Sequence, residues 1–202
     1  MKRQTQGVDA VKKKSSRAFK GNRSLAASRI NRSGLSRATV APPFRLPTPA
    51  GGEIALEAYR GRRLLLVFSD PKCRPCRELM PELEALHKRT PDIEVLVISR
   101  GDIGAVKAEF AEHPVSFPVA VQKRWEISRR YAMFATPIGY LIDEAGLIAG
   151  DVASGAEAIL VLLASSQILA LLKSVMKLQN SFKAKLAKAN HAGQAKLEKH
   201  HG

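Results

Sequence analysis

The chain has 202 residues, 45% of them hydrophobic, and a formal net charge of +15. That is enough apolar material for one packed domain, and two cysteines exclude a disulfide-rich secreted scaffold. The charge is unevenly spread: residues 1–40 carry +10, residues 173–202 carry +6, and residues 41–172 carry −1. The basicity therefore lies in two ends and says nothing about the chemistry of the middle.

Residues 1–40 have low hydrophobicity and no sustained period, which predicts a disordered basic arm. The arm lacks the apolar run of a secretory signal, so the sequence as written reads as cytoplasmic, or as extracytoplasmic if the natural start differs. It also lacks the aromatic interleaving of a stacking platform, and nucleic acid is not an expected partner.

"APPFRLPTPAGG" (41–52) is proline-rich, with Phe44 and Leu46 predicted to pack as a short edge strand. "LLLVF" (64–68) is a continuous apolar run, the pattern of a strand buried on both faces. A helix follows to about Arg89, with Leu79, Leu83 and Leu86 inward and Pro81 inside it. "EVLVIS" (94–99) is a second buried strand. Residues 102–113 read as a helix through Ile103, Val106 and Phe110. "FPVAVQ" (117–122) is a third strand and 126–133 a short helix with Ile127 and Tyr131 inward. Residues 136–152 read as a hairpin, with strands Ile138–Asp143 and Leu147–Val152. "SGAE" (154–157) predicts a capping box opening the last helix. The alternation predicts an α/β fold, a three-layer sandwich over residues 41–172.

The apolar segment 158–172 is shorter than the about 20 residues of a spanning helix, and a buried helix is expected with no transmembrane segment. Beyond it, residues 173–202 predict a basic amphipathic helical tail. Ile168, Leu172, Val175, Phe182 and Leu186 share one stripe, and Lys173, Lys177 and Lys188 face away. An ordinary terminal helix or one engaging an anionic membrane surface both satisfy that pattern.

The chemistry concentrates in "KCRPCR" (72–77). A C-x-x-C pair at a helix start allows a redox couple, half of a metal site, or inert thiols. Cys73 would meet the unpaired N–H groups and positive dipole end that stabilise a thiolate, with Cys76 one turn in. Pro75 suits the first turn because its missing N–H is not needed there. Lys72, Arg74 and Arg77 would lower the thiol pKa of Cys73 further and make the couple more oxidising. Zinc wants about four ligands, and His87 is the histidine close by in sequence. No metal or cofactor is expected. A peroxidase would need a hydroxyl residue three positions before its cysteine, where this chain has Asp70, which reads as a turn residue. Trp125 reads as a packing residue.

"LLLVFSDPKCRPCRELMPEL", a proline five residues after the second cysteine, "ATP" (135–137) before a strand, and "DEAGLI" followed by "GAEAI" together resemble the thioredoxin superfamily, and within it the TlpA-like and MauD-like redoxins. The likeness covers about residues 41–165. It implies a thioredoxin-like fold with an N-terminal hairpin extension and a thiol–disulfide oxidoreductase acting on protein disulfides. Cys73 would attack and Cys76 resolve. Thr136 and a cis Pro137 would bind the partner chain by its backbone, and an unidentified redox partner would recycle the couple. Two positions depart from the family pattern: Lys72 stands where a tryptophan is frequent, and Val67 where thioredoxin carries a buried acid. The competing class is a thioredoxin-like binding module recruited by its basic ends.

Overall fold

The structure is a computed structural model and describes residues 33–198. The expected arm over residues 1–32, and His200 and His201 at the other end, lie outside the described residues. The elements run β1 (Arg45–Pro47), β2 (Glu53–Ala55), a 3-10 turn (Leu56–Tyr59), β3 (Arg63–Ser69), α1 (Arg74–His87), β4 (Ile93–Arg100), α2 (Ile103–Glu112), β5 (Val119–Gln122), α3 (Glu126–Arg130), β6 (Ile138–Ile142), β7 (Ala153–Ser154) and α4 (Ala156–Glu198).

β1 and β2 form the N-terminal hairpin. The main sheet has the order β5-β4-β3-β6-β7, with β3 at its centre. β4 runs parallel to β3 and β5 parallel to β4, whereas β6 is antiparallel to β3. Alternation along β3 divides the core between the two faces of this sheet. Leu64, Leu66 and Phe68 join Phe44, Tyr59, Tyr131 and Tyr140 on one face. Leu65 and Val67 join Leu79, Leu83, Ile159 and Leu163 on the other. The hairpin and α3 thus cover one face, and α1 and α4 the other. The result is the three-layer α/β sandwich of the thioredoxin-like fold.

Several local expectations are corrected. Residues 33–40 are part of the domain and not of a free arm. The Ala38 N–H donates to the Ile148 carbonyl (2.8 Å), the Ile148 N–H donates to the Thr39 carbonyl (2.8 Å), and the Leu35 N–H donates to the Tyr140 hydroxyl (3.2 Å). The expected strand Leu147–Val152 is reduced to isolated bridges, Ile142 with Ile148 and Val40 with Leu147. Residues 147–149 bond to β6 on one edge and to residues 38–40 on the other. Ser154 pairs with Ile138 in β7 and does not cap the last helix. On α2 the buried positions are Val106 and Glu109, while Ile103 is exposed.

The largest correction concerns α4, which is continuous over 43 residues, about 65 Å at 1.5 Å per residue. Its first turns bury Ile159, Leu163 and Ser166, but Val161, Ile168, Leu169, Leu171 and Leu172 are more than half exposed. The apolar segment is therefore buried on one side only. The expected boundary at Lys173 is not an element boundary. Ala156–Lys185 is also long and apolar enough to cross a membrane, by length and composition. Lys173 and Lys177 do not interrupt the helix, because a long apolar helix tolerates isolated lysines.

Candidate active site

β3 delivers the chain to the site. Its last residue, Ser69, is followed by a turn that Asp70 builds with its own atoms. The Lys72 N–H donates to Asp70 Oδ1 (2.9 Å) and the Cys73 N–H to the Asp70 carbonyl (2.9 Å). Cys73 then takes the N-cap position of α1 in extended conformation, and its carbonyl accepts from the N–H groups of Cys76 (3.1 Å) and Arg77 (3.2 Å). Pro75 lies in the first turn of the helix, where no intrahelical partner is needed. Cys73 and Cys76 are joined as a disulfide with a Cα–Cα separation of 5.2 Å. Cys73 is partly exposed and Cys76 wholly buried, so an incoming group reaches the first sulfur and not the second.

The other side of the site comes from the loop before β6. The Thr136–Pro137 peptide bond is cis, and Cys73 Sγ lies 3.5 Å from the Thr136 carbonyl oxygen. Strand register explains the approach. Phe68 pairs with Ile138, so residues just after β3 and just before β6 must meet at the same sheet end.

A match to the family described as AhpC/TSA covers residues 38–150. The chain belongs to this family. It is 32% identical over 121 residues to thioredoxin-like protein YneN of Bacillus subtilis, covering 57% of this chain and 70% of that protein. It is 28% identical over 115 residues to thiol-disulfide oxidoreductase ResA of Bacillus thuringiensis subsp. konkukian, covering 55% and 66%. The chain thus spans about two thirds of the length of these curated relatives. Among solved structures it resembles a Chlorobium tepidum protein provisionally named thiol:disulfide interchange protein DsbE. That likeness has a TM-score of 0.57 and 26% identity over 67% of this chain and 97% of the other. The thioredoxin domain of a Bacteroides vulgatus thiol-disulfide oxidoreductase matches in fold, with a TM-score of 0.58 and 18% identity over 65% and 97%.

Within this AhpC/TSA domain, the structure brings Cys73, Cys76, Thr136 and Pro137 together. Lys72, Arg74 and Arg77 are all exposed beside them. Arg74 donates from Nε to Glu78 (2.7 Å) one helical turn on, so part of its charge is compensated. The position that would carry a hydroxyl in a peroxidase holds Asp70, a buried acid already bonded into the turn. Among the described residues no group of three or more His, Cys, Asp or Glu could hold a metal.

Three participants escape the linear reading. Arg100, the last residue of β4, forms an ion pair with Asp70. Trp125 offers its ring to the Arg100 guanidinium at 4.5 Å, more than packing alone. Glu109 of α2 is buried, and neither carboxylate oxygen has a hydrogen-bond partner. Burial pushes its pKa up; Arg77 and His113 lower it, and Asp70 raises it further. Only the acid at position 109, falling between Val106 and Phe110 on α2, hinted at this from sequence.

Proposed function

We propose that the thiol–disulfide oxidoreductase chemistry of this chain runs on partner polypeptides, with Cys73 attacking and Cys76 resolving. In the reducing direction the Cys73 thiolate attacks one sulfur of a substrate disulfide. A Cys73–substrate disulfide forms, and the other substrate sulfur leaves as a thiolate and takes a proton from water. Cys76, as thiolate, then attacks Cys73 Sγ, releasing the second substrate thiol and leaving the Cys73–Cys76 disulfide. Two electrons pass from the protein dithiol to the substrate, and a second dithiol couple restores them. Oxidation of a substrate dithiol is the same path reversed.

The observation that carries this reading is the asymmetry of the pair: a reachable Cys73 at a helix N-terminus, bonded to a buried Cys76. Thr136 supports the choice of a polypeptide substrate. Its backbone lies against Cys73, where an extended chain can hydrogen-bond while its sulfur is presented. Reduction of insulin disulfides by the full chain, with dithiothreitol as electron source, tests the activity. The wild type is expected to accelerate precipitation of the freed insulin chain and Cys73→Ser to give the background rate. Equal rates for both would leave the binding-module reading standing.

The exposed face of α4 supports an anionic membrane surface as the place of action. Val161, Ile168, Leu172, Val175 and Phe182 are each more than half exposed and fall within an arc of about 80° at 100° per residue. They lie opposite the buried Ile159 and Leu163. No acid occurs between Glu157 and Glu198, while Lys173, Lys177, Lys183 and Lys185 do. Such a helix suits an anionic membrane surface, lying in its plane. Pairing with a second copy would bring lysines together without acids. Spanning would require withdrawing Ile159 and Leu163 from the core. Sedimentation with anionic and with neutral vesicles tests this. Salt-sensitive binding to the anionic vesicles alone, lost in Val175→Asp/Phe182→Asp, is expected. A full chain left in the supernatant with both overturns it.

A further inference from the structure

The turn that presents Cys73 contains a charge that works against its thiolate. Asp70 is 5% exposed, and its backbone and one carboxylate oxygen are committed to the Cys73 and Lys72 N–H groups. A buried carboxylate in the turn that presents a nucleophilic sulfur disfavours a second negative charge. Arg100 answers it. Its Nη2 bonds the other carboxylate oxygen of Asp70, and its guanidinium lies over the Trp125 ring, an arrangement that orients a planar cation and shields it from water.

We propose that Asp70 and Arg100, with Trp125 as the clamp, are positioning residues that set the acidity of Cys73: Asp70 shapes the turn, and Arg100 cancels the charge this shaping introduces.

Register makes the pair a built feature. Ser69 and Ser99 are direct partners on β3 and β4, so Asp70 and Arg100 leave the sheet side by side at the end where Cys73 stands. The remaining charges facing the site come from the turn and α1 (Lys72, Arg74 with its partner Glu78, and Arg77) and from α2 (Glu109 and His113). Lys72, Arg74 and Arg77 are solvent-exposed and screened by salt. The Asp70 carboxylate is buried, so removing Arg100 leaves Cys73 beside a poorly screened negative charge.

The inference rests on Cys73 being the attacking thiol of the redox reading. Its test reads thiol acidity without turnover, so the two can fail separately. The full-length reduced protein is alkylated with iodoacetamide across pH, and modification of Cys73 is followed by mass spectrometry. Asp70→Asn keeps an oxygen for the Lys72 N–H, removes the charge, and puts an amide NH2 in place of the oxygen that accepts from Arg100. Its alkylation midpoint should fall by about half a pH unit or more. Arg100→Gln should raise the midpoint by a similar amount, and Arg100→Lys should restore it most of the way. Trp125→Leu should shift it in the direction of Arg100→Gln, by less. Opposite signs for Asp70→Asn and Arg100→Gln are not produced by loss of turn geometry, which would move both the same way. If Arg100→Gln does not fold, the sign for Asp70→Asn decides. An unchanged or raised midpoint in Asp70→Asn overturns the proposal, as does an unchanged or lowered one in a folded Arg100→Gln.

Discussion

Cys73 Sγ stands 3.5 Å from the carbonyl oxygen of Thr136, across 63 residues of sequence. Two features of the sheet enforce the contact. β3 ends where α1 begins, and β6 starts opposite the end of β3 through the Phe68–Ile138 pair. In the proposed reaction a peptide laid along Thr136 would present its sulfur to the partly exposed Cys73.

That delivery depends on β6 holding its place, and Gly139 is where it is most exposed to change. A Cβ at Gly139 would come within 2.9 Å of Ile159 Cγ1, a fully buried side chain of α4. Gly139→Val is expected to lose about 1–3 kcal/mol of stability through overpacking. Exchange activity should fall with it, because Thr136 shifts relative to Cys73. Denaturant titration and insulin reduction on the same preparation check both.

Along α4, burial separates two kinds of leucine. Leu163→Ala removes a wholly buried side chain and should cost about 2–5 kcal/mol. Leu172→Ala, at a position more than half exposed, should stay within about 0.5 kcal/mol. Chemical denaturation of both variants without lipid is the measurement.

Glu109 predicts a pH dependence with a definite sign. Burial raises its pKa in the folded protein, so the folded state binds more protons than the unfolded state at this site. Stability from this group is present below the ordinary carboxylate pKa and is lost as pH rises through the raised folded value. Glu109→Gln should thus be more stable than wild type at neutral pH, and the difference should vanish on acidification. Melting curves of the two proteins across pH would show it.

The exposed cations should tune the couple unequally. Arg74 is engaged with Glu78 and Lys72 has no such partner on the helix, so Lys72→Ala should raise the Cys73 alkylation midpoint more than Arg74→Ala. Both shifts should be a few tenths of a pH unit and shrink with added salt. Equal shifts that ignore salt would contradict this ordering.

Much of the fold was legible because its elements announce themselves locally. "LLLVF" has the pattern of a strand buried on both faces, and Cys73–Pro75 at the start of a leucine-striped helix marks α1. What stayed hidden depends on partners far apart in the chain. Asp70 reads as a turn residue, which it is, but its pairing with Arg100 appears only once β3 and β4 lie in register. After Leu147 the chain is held on its outer edge by residues 38–40, and the strand that pairs with β6 is the short β7, Ala153–Ser154. Glu109 breaks a helix face that Ile103 and Phe110 had suggested, since α2 turns a polar side toward the site. For α4, hydropathy does not distinguish burial in a core from exposure to a second apolar surface.

In the proposed reaction Cys73 forms the bond to substrate and Cys76 breaks it. Incubating Cys76→Ser with a disulfide-containing peptide, then mapping the product by peptide mass spectrometry, tests this most directly. A stable mixed disulfide on Cys73, absent in Cys73→Ser, is the predicted result. No adduct on Cys73, or an adduct that forms equally on Cys76 in Cys73→Ser, would contradict it.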